Sequence, residues 1–217
     1  HLYKYGFGQK TYIDLYGEKK GLIPDRAWKS KAKQEPWYPG ETLNVGIGQG
    51  YFLATPMQLT LATASLAKDG NTYTPHFLFG DKNNETTEVS MYDYKNNKFS
   101  TEMKDIHYLD IVKKAMWRVV NDSGVGTASR LKKVKNIEFA GKTGTAQVYN
   151  LDKGKTGTKR LQDHALFISY APFESPEIVV TVVVENGGGG SSTAAPIARD
   201  IIEYYMDKKP TSVSKYE

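Results

Sequence analysis

The chain has 217 residues, of which 39% are hydrophobic and 24% charged, as in a globular protein long enough for a well-buried core. Its net charge of +5 comes from scattered lysines, which argues against nucleic-acid binding, and the absence of cysteine excludes disulfides and thiolate chemistry. The longest apolar run, Ile178–Val184, is far shorter than the roughly 18 residues that span a bilayer.

A loop-rich segment and two helices are predicted in the first 120 residues. Glycine and proline recur at turn spacing over residues 1–54, so ordered loops with short elements between them are expected there. Thr55 is a favoured N-cap and Pro56 fits the first helical position, which predicts a helix over 55–69. Its apolar stripe is Leu59, Ala62, Thr63 and Leu66. A second helix is predicted over 105–120, with the stripe Leu109, Val112, Ala115, Met116 and Val119. The Asn-containing stretch 81–100 is expected to be an exposed hairpin or a mobile excursion.

The C-terminal part predicts three strands within residues 137–185 and a final helix. The last two strands are separated by a short turn, so they should pair as an antiparallel hairpin. The third strand is apolar on both faces, which predicts a place inside the sheet. A helix is predicted over 194–206, with Ile197, Ile201 and Tyr205 on one face and a cap from Ser191, Ser192 or Thr193. The pattern is α+β, with helices packed on an antiparallel sheet within one domain over 1–207 and a tail over 208–217.

The tetrapeptide Lys142-Thr143-Gly144-Thr145 lies within the first predicted strand and has the composition of an anion site. The ammonium of Lys142 supplies positive charge, and the hydroxyls of Thr143 and Thr145 can donate hydrogen bonds to a carboxylate. Gly144 removes the side chain that would hold a substrate backbone away. An edge strand of this kind pairs with an extended peptide and presents a main-chain N–H to a carbonyl oxygen.

The same four letters recur at residues 155–158, so the tetrapeptide alone does not identify a site. Charged residues at 152–153 and 159–160 flank the second copy, and the lack of apolar alternation predicts a polar loop. The Gly-Lys-Thr letters also suggest a phosphate-binding P-loop, which needs a glycine five residues before the Gly-Lys pair. Asn136 and Tyr149 occupy those positions, so the sequence argues against a nucleotide site.

Serine β-lactamases and penicillin-binding proteins combine Lys-Thr-Gly with Ser-x-x-Lys and Ser-x-Asn. Ser-x-x-Lys begins at Ser30, Ser65, Ser129 and Ser212, but Ser-x-Asn does not occur. A nucleophile should open a helix, where the helix dipole and main-chain N–H groups assist it, and none of the four serines is predicted there. His76, His107 and His164 are not spaced as metal ligands, so neither a metal nor a cofactor is expected.

Longer segments resemble the transpeptidase domain of class B penicillin-binding proteins, and within it the penicillin-binding protein 2 group. Tyr-Gly-Phe-Gly-Gln-Lys-Thr-Tyr at 5–12 is similar to the segment that follows the family's Ser-x-Asn motif. Pro-Trp-Tyr-Pro-Gly-Glu-Thr at 36–42 and Gly-Ile-Gly-Gln-Gly-Tyr at 46–51 resemble the next blocks. Further similar blocks lie, in family order, at 54–59, 142–145, 163–165, 184–188 and 195–199.

The resemblance implies a D,D-transpeptidase that cross-links peptidoglycan stem peptides through an acyl-serine intermediate and is acylated by β-lactams. It implies that Lys142, Thr143, Gly144 and Thr145 bind the carboxylate of the donor peptide or β-lactam, and that the Thr145 N–H forms half of the oxyanion hole. It further implies a place on the periplasmic side of the bacterial inner membrane, anchored by an N-terminal helix, with a RodA-type glycosyltransferase and MreC as partners.

Both serine motifs of the family precede the segment that begins here at residue 5. We therefore expect the nucleophile to lie on an upstream segment of the same protein, and this chain to be inactive alone. A non-catalytic β-lactam sensor or scaffold of the same fold is the main alternative. A hydrolytic β-lactamase is a third interpretation.

Overall fold

The computed structural model describes residues 2–77, 98–100, 106–147 and 162–208, and the chain divides into two units, His1–Ile106 and His107–Glu217. The first unit contains a 3₁₀ turn (Leu2–Tyr5), helices α1 (Arg26–Lys33), α2 (Pro39–Gly46) and α3 (Pro56–Ala67), and the antiparallel strands β1 (Asn71–Tyr73) and β2 (Lys98–Ser100). The second contains α4 (Ile106–Asn121), β3 (Ala140–Ala146), β4 (His164–Ala171), β5 (Ile178–Val184), a π turn (Gly190–Ala194) and α5 (Ala195–Lys208).

The predicted α+β class, with helices packed on an antiparallel sheet, is confirmed. The predicted excursion over 81–100, apart from β2, and the predicted polar loop around 155–158 lie outside the described residues, as does the tail from 209. Among the residues that the structure describes, no helix combines the length and apolar content needed to cross a membrane.

Two short helices, α1 and α2, lie between the loops of the first segment, where the sequence predicted short elements of unspecified type. Asp25 caps α1, since its carboxylate accepts a hydrogen bond from the Trp28 N–H at 2.7 Å. Pro39 opens α2, and the Glu41 carboxylate accepts a bond from the Tyr38 N–H at 2.8 Å. Each helix has eight residues, too few to show an apolar period in the sequence.

Helix α3 begins as predicted, and its first turn also fixes the loops that precede it. Thr55 and Gln58 form a reciprocal capping box, with bonds of 3.1 Å and 2.9 Å. The buried Gln58 amide then donates to the carbonyl oxygens of Gln9 and Lys20, both at 2.8 Å, and of Gly6 at 3.3 Å. The Gln58 side chain therefore donates to main-chain carbonyls in two loop segments, 6–9 and around 20. An apolar side chain at this position would leave those carbonyls without a donor.

A buried ion pair joins α1 to α2. The Lys29 side chain is 1% exposed, and its ammonium donates to Glu41 Oε1 at 2.5 Å and lies 4.4 Å from the Tyr38 ring centroid. Burial alone lowers the pKa of Lys29, but the hydrogen bonds and charges of Glu41 and Glu35 outweigh it, so the pKa lies above its ordinary 10.5. The hydrogen bond from Lys29, followed by that from the Tyr38 N–H, holds the pKa of Glu41 below its ordinary 4.5.

The second unit is built on the sheet β3–β4–β5, in which both strand pairs are antiparallel. The central strand β4 supplies the fully buried Ala165, Phe167 and Ala171 to the core. Helix α5 covers this core with Ala195, Ala198 and Ile202, and its contacts reach both β4 and β5. The predicted hairpin of the last two strands is confirmed by the continuous pairing from Ala165↔Val184 to Ala171↔Ile178.

The prediction that the third strand lies inside the sheet is wrong within the described part of the chain. Strand β5 pairs there only with β4 and so occupies an end of the sheet. Val180 and Val182 are buried, whereas Val183 is exposed. A run of valines indicates a strand, because valine has high β-propensity, but it does not indicate which face of the sheet is buried.

The predicted apolar stripe of α4 and the predicted cap of the last helix are also partly wrong. Leu109 and Met116 are buried on α4, but Val112 and Ala115 are exposed.

Before α5, Gly189 precedes the π turn without a side-chain cap, and the Ser192 hydroxyl donates to the Gly189 carbonyl instead of accepting from an N–H. Hydroxyl groups bond to whichever main-chain partner lies nearest, so capping letters alone do not fix their role. Ile197, Ile201 and Tyr205 do share a face of α5, but that face is exposed.

We expect Gln58→Leu to lower the free energy of unfolding by about 3 kcal/mol, because it leaves buried carbonyl oxygens without their donor. Gln9→Leu is the matched control. Its amide makes an exposed bond to the Tyr3 carbonyl, so its loss should cost about 1 kcal/mol or less. Urea denaturation measures both, and equal costs would contradict the proposed difference in burial.

The Lys29–Glu41 pair predicts an acid-sensitive stability. Because folding lowers the pKa of Glu41, the pair stabilises the fold above pH 4.5, and this contribution is lost as the pH falls below 4.5 through the lowered pKa. Glu41→Gln should therefore flatten the pH dependence of the melting temperature in the acid range. Glu35→Gln should change it less, since Glu35 is 55% exposed and 3.5 Å from the ammonium. Superimposable acid profiles of wild type and Glu41→Gln would rule out this role for the pair.

Candidate functional site

The four residues of the Lys-Thr-Gly-Thr motif lie consecutively on β3, at the edge of the described sheet. Their partners on β4 run from Lys142↔Ile168 to Thr145↔Ala165. Ala140 and Gly141 at the start of the strand are buried, whereas Lys142 and Thr145 are exposed. The sequence therefore anchors one end of β3 in the core and brings the motif to the surface. Side chains two residues apart share a face of a strand, so Thr143 and Thr145 lie on the same side of the sheet.

Glycine backbones set how closely the neighbouring elements approach the motif. A methyl group on Gly141 would lie 2.5 Å from the ring of Phe167, and one on Gly144 would lie 3.2 Å from the Cβ of Leu166. Gly190, the first residue of the π turn, packs directly on this strand pair. A methyl group there would lie 2.5 Å from the Leu166 carbonyl oxygen and would overlap that of Gly144.

The ammonium of Lys142 donates a hydrogen bond to the main-chain carbonyl of the adjacent Thr143, at 2.6 Å. The side chain is exposed, so its charge lies at the solvent-facing edge of the sheet. This bond holds the ammonium against the main chain of the strand.

Thr127 is a neighbour of the motif that the sequence did not single out. Its Oγ1 lies 3.0 Å from Oγ1 of Thr143, within hydrogen-bond distance. The two threonines are 16 residues apart, and Thr127 belongs to the turn between α4 and β3. No periodicity or spacing links the two positions, so the tertiary fold was needed to find the pair.

The Ser-x-x-Lys serines do not form a nucleophile site in the described residues. Ser65 is buried near the C-terminal end of α3, and Ser30 lies in the second half of α1. Ser129 lies in the turn after α4, and Ser212 lies outside the described residues. None of the three described serines opens a helix, which is the position where a nucleophile is expected.

The second copy of the tetrapeptide, at 155–158, also lies outside the described residues. Within the described ranges, no group of three or more histidine, aspartate or glutamate side chains is arranged to hold a metal ion. His164 accepts a hydrogen bond from the Asn186 N–H at 2.9 Å, which fixes the end of β4 to the turn after β5. A cavity of about 200 Å³ lies between the end of α4 and residues 131–139, and the motif residues do not line it.

The chain is similar in sequence and fold to known proteins. The model of the penicillin binding protein transpeptidase domain matches residues 1–203. Peptidoglycan D,D-transpeptidase MrdA of Haemophilus influenzae is 40% identical over 217 residues, which cover 98% of this chain and 33% of the relative. MrdA of Acinetobacter baumannii is 38% identical over 94% of this chain and 30% of the relative. The chain thus spans about a third of the length of these curated relatives.

Solved structures agree with the sequence relatives. The crystal structure of Pseudomonas aeruginosa PBP2 in complex with WCK 5153 is 37% identical, with a TM-score of 0.77 over 96% of this chain and 43% of that one. The complex between PBP2 and MreC from Helicobacter pylori is 32% identical, with a TM-score of 0.79 over 96% of this chain and 35% of that one.

We expect Gly190→Ala to destabilise the second unit by about 2 kcal/mol, because the added methyl group forces the π turn away from the backbones of Gly144 and Leu166. Gly189→Ala is the matched control. Its methyl group would meet only the Ser192 hydroxyl, and its φ of −87° suits alanine. Urea denaturation measures the stability of both variants. Equal stability would show that the close approach of Gly190 to the backbones of Gly144 and Leu166 does not constrain the fold.

Proposed function

Because the chain belongs to the penicillin-binding protein transpeptidase family, we propose that it forms the carboxylate-binding and oxyanion-forming part of a peptidoglycan D,D-transpeptidase. The observation that carries the proposal is the motif's position on the edge strand β3, where the Lys142 ammonium is bonded to the Thr143 main-chain carbonyl and the Thr143 hydroxyl lies within hydrogen-bond distance of Thr127. The family match supports it, since relatives named as peptidoglycan D,D-transpeptidases align over nearly the whole chain.

The carboxylate of the donor stem peptide, or of a β-lactam, is proposed to bind at the exposed part of β3. Lys142 supplies the charge, while Thr143 and Thr145 donate hydroxyl hydrogen bonds from their shared face of the strand. Gly144 lets the substrate backbone approach the strand, because no side chain intervenes. These residues orient the substrate and do not themselves attack it.

The scissile carbonyl is proposed to receive a hydrogen bond from the main-chain N–H of Thr145. A serine hydroxyl elsewhere in the intact protein attacks this carbonyl, and negative charge develops on the carbonyl oxygen in the tetrahedral intermediate. Collapse of that intermediate breaks the peptide or lactam C–N bond, and the leaving nitrogen takes up a proton. The N–H of Thr145 stabilises the developing charge without rearranging, because pairing with β4 has already fixed the strand.

The proposed enzyme is the intact protein, of which residues 1–207 are part of the transpeptidase domain. We place the nucleophilic serine and the Ser-x-Asn element on sequence upstream of this chain, so the chain alone is expected to be inactive. The proposed location is the periplasmic side of the inner membrane, where peptidoglycan is cross-linked, with an N-terminal anchor helix. MreC and a RodA-type glycosyltransferase are proposed partners, and the related PBP2–MreC complex supports the first of these.

A non-catalytic β-lactam sensor or scaffold of the same fold would keep the motif but not turn over stem peptides. A β-lactamase would release the acyl group within minutes instead of retaining it. Incubating the intact protein with a stem pentapeptide and following D-alanine release distinguishes the sensor from the enzyme. Following the loss of a bound fluorescent penicillin over time distinguishes the β-lactamase.

We expect Lys142→Met to slow acylation of the intact protein by a fluorescent penicillin about 10- to 100-fold, as the loss of a charge-assisted hydrogen bond predicts. Lys155→Met is the matched control, because it removes the same residue from the second copy of the tetrapeptide and should leave the rate unchanged. Rates are read from labelled protein resolved on a gel at increasing times. If Lys155→Met lost labelling and Lys142→Met did not, the second copy of the tetrapeptide would be the binding site and the proposal for Lys142 would be wrong.

A further inference from the structure

The turn after α4 holds Thr127 in a defined place. The Gly126 N–H donates to the Asp122 carbonyl at 2.9 Å, and the Ala128 N–H donates to the Val119 carbonyl at 2.9 Å. Ala128 is buried, and a methyl group on Gly126 would overlap the carbonyl oxygens of the last turn of α4. The residues on both sides of Thr127 are thus tied to the helix end, while Thr127 itself remains exposed.

Either hydroxyl could donate in the hydrogen bond between Thr127 and Thr143, and the proposed function of Thr143 requires that Thr127 donates. Each hydroxyl has one hydrogen to donate and two lone pairs to accept with. If Thr143 donated to Thr127, its hydrogen would not be available to a carboxylate, which only accepts. If Thr127 donates, the hydrogen of Thr143 is left for the substrate.

We propose that Thr127 is a positioning residue for carboxylate recognition: its hydroxyl donates to Oγ1 of Thr143, so that the Thr143 hydroxyl donates to the substrate carboxylate. This inference rests on the proposed function of β3. The 3.0 Å separation of the two oxygens fits such a chain of donors, and each bond in the chain polarises the next. The Lys142 ammonium donates to the main-chain carbonyl of Thr143 at 2.6 Å, which keeps its charge close to the backbone of the same residue.

Thr127→Val tests the inference, because it keeps the shape of the side chain but removes the donor. In the intact protein, we expect it to raise the dissociation constant for benzylpenicillin before acylation by roughly two- to tenfold, the usual effect of losing one hydrogen bond. The maximal acylation rate should change little, since Thr127 does not touch the reacting carbonyl. Thr127→Ser keeps the donor and should stay within about twofold of wild type.

A probe without the carboxylate charge separates positioning from a purely structural role. The methyl ester of benzylpenicillin cannot use the carboxylate site fully, so Thr127→Val should impair its binding much less than that of the free acid. In a double-mutant cycle, Thr143→Val should remove most of the effect of Thr127→Val, because Thr127 acts through Thr143.

The outcomes are distinct. Equal losses for the acid and the ester, additive effects of the two valine variants, or an unchanged dissociation constant in Thr127→Val would each overturn the role of Thr127, provided that wild type is acylated. If wild-type intact protein is not acylated by benzylpenicillin at all, the proposed function of β3 fails, and the inference fails with it. A melting temperature of Thr127→Val close to that of wild type, as expected for an exposed residue, confirms that the variant is folded.

Discussion

The second unit depends on one close approach, in which the backbone of Gly190 lies directly on the backbones of Gly144 and Leu166. No side chain fits between them, so the π turn can reach the sheet only with glycine at this position. The small residues Ala194, Ala195 and Ala198 follow it, and all are fully buried. The buried positions in the first turn of α5 are therefore small, which lets the helix pack closely on the strand pair that carries the motif.

In the first unit, buried polar groups join separate segments of the chain. Gln58 bonds the carbonyls of loops that cannot pair with one another, and Lys29 and Glu41 form an ion pair between two short helices. Such groups are costly to bury and become tolerable only when every partner is present. They also accept a single arrangement, because a shifted loop would leave a donor or acceptor unbonded. A segment rich in turns gains order in this way without an extensive core of its own.

The sequence predicted the features that depend on neighbouring residues. Predictions failed where contacts with residues distant in the sequence decide the outcome. The capping letters at Thr55 predicted the start of α3, because that cap needs only residues within the same turn. The strand context of Lys142 likewise placed the motif on β3. The cap of α5 was wrong because the Thr193 hydroxyl donates to the Gly187 carbonyl, a choice that the fold of the loop makes. Val112 and Val183 are exposed although both were assigned to apolar faces, because an apolar residue type does not determine which face of a helix or strand is buried.

Recognition at an exposed strand has to come from donors that are fixed before the ligand arrives. Water competes for every group on the outer part of β3, so a single hydrogen bond there contributes only about 1 kcal/mol. Useful affinity therefore requires several donors whose ordering cost was already met during folding. Pairing with β4 orders the strand over its whole length, Gly190 limits its movement, and the turn after α4 brings Thr127 to Thr143. The motif specifies the proposed donors, and these three contacts from distant parts of the sequence hold the strand that carries them in place.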